Sequence, residues 1–134
     1  MGGMTLLADV FGASLRALTS HEIATHFLMR CVEEIGMRPL PHTLKVEHFP
    51  LVDGSGDLGL SGLMILVESH IAIHTWPERG YARVEISSCK RFDAEKAINV
   101  LRAFFGGETV WEVVFWREED ECKLSGEQVD IREG

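Results

Sequence analysis

Between Gly62 and Ser87 the chain reads as sheet almost without interruption, and this run restricts the fold more than any other feature. GLMILV (62–67) is continuously apolar, IAI (71–73) extends it past a Glu-Ser-His triplet, and over residues 81–87 Ala82, Val84 and Ile86 alternate with Arg83, Glu85 and Ser87. Alternation with period 2 is the pattern of a strand with one buried face. Pro77-Glu78-Arg79-Gly80 carries turn chemistry, so these segments are read as antiparallel strands meeting there.

The flanks fit the same architecture. Residues 4–10 form a short apolar strand ended by Gly-Ala-Ser. Ser20 is a helix cap, because Ile23, Ala24, Phe27, Leu28, Cys31 and Val32 share one helical face and Gly36 closes the segment. Residues 43–49 alternate as a strand, and PLVDGSGDLGL (50–60) reads as a long loop. Asp93 caps a second helix whose apolar face holds Ala97, Ile98 and Leu101, Gly106-Gly107 stops it, and residues 109–116 form a last strand. This order predicts an α+β fold, a mostly antiparallel β-sheet with two helices packed on one face. The 134 residues suit a single domain spanning 1–134. With both helices on one side, the bare sheet face calls for a partner, and a homodimer is expected.

Composition excludes several classes of function. The net charge is -8 and the thirteen Lys and Arg are scattered, so a nucleic-acid partner is not expected. The acidic run at Glu118, Glu119, Asp120 and Glu121 and the tail around Glu127 and Asp130 read as solvated. No window approaches a membrane span, and the first residues lack a signal-peptide pattern, which predicts a cytoplasmic protein without a membrane partner. Three cysteines, Cys31, Cys89 and Cys122, with no CxxC argue against a disulfide framework and a zinc ribbon.

The sheet run also holds Glu68, Ser69, His70, His74, Trp76, Glu78 and Cys89, with Ser61 just upstream. Singly, each has an ordinary structural explanation: a strand histidine is more often hydrogen-bonded than catalytic, and a lone cysteine is usually a small hydrophobe. Together they admit a Cys89/His74 nucleophilic dyad, although no third member or oxyanion loop accompanies it. A metal site from His48, His70, His74 and Cys89 matches no standard spacing, and no metal is expected.

A third reading rests on a longer match. ESHIAIHTWPE (68–78) followed by GYARVEISSC (80–89) resembles the signature of S-adenosylmethionine decarboxylases of the short prokaryotic class, densely over residues 61–89. The resemblance implies that family's fold and a chain that cuts itself into residues 1–68 and 69–134. Ser69 would attack the Glu68 carbonyl, and an N-to-O acyl shift followed by β-elimination would leave a pyruvoyl cofactor at position 69. By the same resemblance, Ser61 donates a hydrogen bond to the Glu68 carbonyl and His74 is the processing base. Strain in the backbone at Glu68-Ser69 is expected to help the amide leave its planar minimum. In turnover, the pyruvoyl group forms a Schiff base with the substrate amine and Cys89 donates the final proton, a role suited to a thiol of pKa about 8.5. Glu78 matches the residue that binds the ribose hydroxyls, and Phe49 and Trp76 are expected near the adenine. Each active site is expected to draw on two processed protomers.

Two segments depart from the family pattern. Gly3-Met4-Thr5 stands where a histidine is usual in the first strand, and HFPLVDGSGDLGLSG (48–62) replaces a shorter His-x-Phe-x-Pro-x-Gly segment before the Ser-Gly pair. Asp53 and Asp57 in this stretch suit a cationic side chain. Two further readings therefore stay open beside the adenosylmethionine one: a pyruvoyl-dependent ornithine or arginine decarboxylase, and an unprocessed homologue serving as a partner subunit.

Overall fold

The first strand, β1 (Gly2–Phe11), lies inside the sheet rather than at its edge, paired antiparallel with two others. The computed structural model describes residues 2–50, 58–117 and 128–133. The remaining strands are β2 (Lys45–Pro50), β3 (Leu58–Leu66), β4 (Ser69–Trp76), β5 (Tyr81–Ser88), β6 (Glu108–Arg117) and β7 (Gln128–Glu133). They form one antiparallel sheet in the order β2-β3-β4-β5-β1-β6-β7.

Strand alternation decides which face is covered. Leu6, Ala8 and Val10 of β1, Ile71 and Ile73 of β4, Val84 and Ile86 of β5, and Trp111 and Val113 of β6 point to one side and are buried. The helices lie on that side: α1 (Leu15–Thr19), α2 (His21–Glu34) and α3 (Ala94–Phe105). Phe27 of α2 packs edge-on against Phe104 and Phe105 of α3, at centroid distances of 6.0 and 5.5 Å. Fully burying such a ring contributes roughly 1.5–3 kcal/mol, and this contact ties the two long helices into one layer.

The expected α+β architecture is the one found, with three differences. A third helix, α1, precedes the cap at Ser20. Ser14 caps it, accepting from the Ala17 N–H, while Ser20 ends α1 and caps α2 by accepting from the Ile23 N–H. Five residues are too few to generate a helical period in the sequence. The apolar run 62–73 is not continuous: the chain reverses at Val67 and Glu68, so that Leu66 faces Ser69 across a two-residue hairpin. A seventh strand, β7, unanticipated from the sequence, carries Asp130 and pairs with β6, while Glu127 lies outside the described residues. The acidic run 118–121 lies outside the described residues, as do positions 51–57 of the expected loop with Asp53 and Asp57; Leu58 to Leu60 already belong to β3.

Among the described residues, no helix lies on the opposite face of the sheet. Phe11, Leu63, Ile65, Val67 and Val110 are each 41–53% exposed, an unusual concentration of apolar surface for a face meant to meet water.

Candidate active site

A single buried threonine fixes where the middle strands meet the helices. Thr75 Oγ1 accepts from the Leu60 N–H at 2.9 Å and donates to the Leu18 carbonyl at 2.8 Å. It thereby pins the β3–β4 register to α1. In that register Ser61 stands opposite His74, and Ser61 Oγ pairs with His74 Nδ1 at 2.9 Å on the helix-free face.

Further residues gather at this end of β4. Trp76 stacks on Tyr81 at 5.0 Å, and Tyr81 stacks on Phe11 at 5.3 Å. The Tyr81 hydroxyl donates to Asp9 Oδ1 at 2.5 Å, and Arg83 Nε stands 3.5 Å from the same oxygen. Burial and the Asp9 hydrogen bond push the Tyr81 phenol up to about 12. Glu78 is exposed in the 3-10 turn that follows β4. Phe49 on β2 lies over Gly59, its Cζ where a Cβ on residue 59 would collide with it, so only glycine lets that ring settle there.

Glu68 and Ser69 sit at the other end of β4. The Glu68 carbonyl accepts from the Cys89 N–H at 2.8 Å, and Ser69 shares a register pair with Ser88. Cys89 is exposed beside the turn, whereas Cys31 is buried in the core with its thiol pushed up to about 12 by desolvation and by the charge of Glu34. The Glu68 side chain is only 2% exposed, with Oε2 2.8 Å from Arg38 Nε and 4.0 Å from Lys90 Nζ. Burial works to raise the carboxyl, but hydrogen bonds from the Arg38 backbone N–H and guanidinium outweigh it and hold it below its ordinary value.

The sequence-derived residues thus form two groups on one sheet. Glu68, Ser69 and Cys89 come together; so do Ser61, His74 and Trp76. Ser69 and His74 are five positions apart on β4, roughly 17 Å at the rise of an extended strand. Within one chain neither Ser61 nor His74 reaches Glu68, and the donor on the Glu68 carbonyl is the Cys89 backbone instead. His74 faces Arg83, six positions from Cys89, so a Cys89/His74 dyad does not form within one chain either. Among the described residues no three His, Cys, Asp or Glu side chains converge as a metal site. Glu68 and Ser69 have neither a cis peptide nor positive φ.

With these features in view, a family model described as S-adenosylmethionine decarboxylase matches residues 4–118. The chain belongs to the S-adenosylmethionine decarboxylase family. Among its relatives, the S-adenosylmethionine decarboxylase proenzyme of Acidithiobacillus ferrooxidans is 31% identical over 109 residues, covering 81% of this chain and 76% of that protein. The proenzyme of Clostridium botulinum is 31% identical over 101 residues, 75% of this chain and 80% of the relative. The crystal structure of the adenosylmethionine decarboxylase from Aquifex aeolicus superposes with a TM-score of 0.67 at 23% identity, covering 95% of this chain and 98% of that one, and shares the fold.

Sequence reasoning missed Arg38, Lys90 and the Asp9–Tyr81–Arg83 cluster. Arg38 had one faint signal, since a residue before proline favours extended backbone and Arg38 precedes Pro39.

Proposed function

We propose that this family member is a pyruvoyl-dependent S-adenosylmethionine decarboxylase. It is a carboxy-lyase of polyamine biosynthesis, acting in the cytoplasm to make the aminopropyl donor for spermidine. It matures by cutting itself between Glu68 and Ser69. The observation that carries this reading is the Glu68–Ser69 peptide at a hairpin turn, its carbonyl held by the Cys89 N–H at 2.8 Å, in a chain of this family.

That hydrogen bond is of the kind that stabilises an oxyanion when a hydroxyl adds to a carbonyl. Ser69 is next in the chain and half-buried, so its Oγ needs no approach through solvent. A pyruvoyl group made at position 69 supplies an electron sink for the bond to the departing carboxylate. Cys89, whose N–H meets the Glu68 carbonyl and whose thiol is exposed, is the proton donor of this reading, and Trp76, Phe49 and Glu78, at the far end of β4 from position 69, would offer, from a second protomer, aromatic faces and a carboxylate to an adenosyl moiety.

The separation of Ser61 and His74 from Ser69 supports a site built from two protomers. A second copy laid against the helix-free face would cover Leu63, Ile65 and Val67, and a shared site requires its Ser61–His74 pair to come to the Glu68–Ser69 end of β4.

The intact mass under denaturing conditions, followed by carbon dioxide release from S-adenosylmethionine, ornithine and arginine, tests the reading. Expected are two fragments, with a blocked pyruvoyl start on the second, and release from S-adenosylmethionine alone. A lasting full-length mass overturns self-cleavage, and release only from ornithine or arginine overturns the substrate.

A further inference from the structure

The turn that carries the scissile bond does not hold itself. Two-residue hairpins favour turns with positive φ at one or both central positions, usually glycine or asparagine, yet Val67 and Glu68 both have negative φ. Beyond the Cys89 N–H on the Glu68 carbonyl, most of its support comes from Arg38. The Arg38 carbonyl accepts from the Val67 N–H at 2.8 Å, the Arg38 N–H donates to Glu68 Oε1 at 3.0 Å, and Arg38 Nε donates to Glu68 Oε2 at 2.8 Å. Pro39 adds a bridge to Leu66. Lys90 Nζ, which also donates to the Gly36 carbonyl at 3.4 Å, stands 4.0 Å from Glu68 Oε2.

From this geometry we infer that Arg38 is a positioning residue for self-cleavage: it grips Glu68 by its side chain, so that the scissile carbonyl stays on the Cys89 N–H and within reach of Ser69 Oγ. The inference rests on the self-cleavage proposed above. In the acyl shift the Ser69 Oγ–Glu68 carbon bond forms, the Glu68 carbon–Ser69 nitrogen bond breaks, and the hydroxyl proton ends on nitrogen. Elimination removes a proton from Ser69 Cα and breaks its Cβ–O bond, and Glu68 departs as a carboxylate. Glu68 then carries two negative charges, and Arg38 with Lys90 supplies two cations to meet them. A carboxylate at the residue before the cut is thus a handle for alignment as well as a leaving group in waiting.

The test is a cell-free pulse-chase, with fragments read by denaturing mass spectrometry, for the unmodified chain, Arg38→Met, Arg38→Lys, Glu68→Gln and the Arg38→Met/Glu68→Gln pair. Folding is checked by melting each in a Ser69→Ala background. Loss of a charge-assisted hydrogen bond should slow cleavage about tenfold or more in Arg38→Met and in Glu68→Gln. Arg38→Lys should recover part of the rate. The double variant should be no slower than Glu68→Gln alone, because both changes break one contact.

Equal rates for Arg38→Met and the unmodified chain, or losses that add in the double variant, overturn the inference and leave self-cleavage standing. An unmodified chain that never cleaves defeats the underlying reading instead. If Arg38→Met fails to melt cooperatively, the Arg38→Lys and Glu68→Gln rates decide, and normal cleavage in both overturns the inference.

Discussion

The backbone N–H of Cys89 donates to the carbonyl oxygen of Glu68 at 2.8 Å, across the hairpin that carries the proposed scissile bond. One residue thus presents a main-chain donor to the proposed scissile bond and carries an exposed thiol, to which a proton-donor role is proposed.

These two roles separate by mutation. Cys89→Ala keeps the N–H, so cleavage into residues 1–68 and 69–134 should proceed normally while decarboxylation falls by roughly 10²–10⁴-fold for want of the proton donor. Stopped time courses of fragment mass and of carbon dioxide release check both halves. Unimpaired turnover would remove the thiol from the mechanism.

Ser61 and His74 pair with each other at 2.9 Å far from the Ser69 of their own chain, which predicts complementation. His74→Ala alone should cleave about 10²–10⁴-fold more slowly through loss of the base. Co-expressed with Ser69→Ala chains, which cannot cut but retain His74, the His74→Ala chain should be cut again. Masses distinguish the two chains, and absence of rescue would mean that each protomer serves itself.

The Glu68 carboxyl is held below its ordinary value of 4.5 by Arg38 despite its burial. A carboxyl depressed in the folded state contributes stability above its unfolded pKa and loses it as pH falls through the folded one. The Ser69→Ala chain should therefore lose stability as pH drops below about 4.5 by more than the Glu68→Gln/Ser69→Ala chain does. Urea midpoints at pH 7 and at pH 3.5 measure the difference, and parallel losses would contradict it.

Tyr81 is the one tyrosine in the sequence, and burial with the Asp9 hydrogen bond moves its phenol up to about 12. A raised phenol contributes stability that is complete below the unfolded value near 10 and is lost as pH rises through the folded one. Absorbance titration of folded protein should show ionisation near 12, returning toward 10 in urea. Asp9→Asn should lower the folded value, and no change would show that burial alone is responsible.

Much of the fold was legible in the sequence because it is encoded between near neighbours. Alternation marked β2 and β5, β1 showed as an apolar run and β6 as a last strand, and Ser20 and Asp93 announced the two long helices through contacts three residues away or fewer. The five-residue α1 and the reversal at Val67 and Glu68 were not legible, since neither carries a period, a glycine or an asparagine that would mark it.

The resemblance of ESHIAIHTWPE and GYARVEISSC to the family's signature pointed to the family and to the chemistry to look for, because such a motif is a property of the chain itself. Tertiary structure alone decided which residues meet. Ser61 reaches His74, Glu68 reaches Arg38 and Cys89 reaches Glu68 across 13, 30 and 21 residues. Such pairs exist only through strand register, which the buried faces of β3, β4 and β5 fix as a set, since a slip of one residue would turn every core side chain outward.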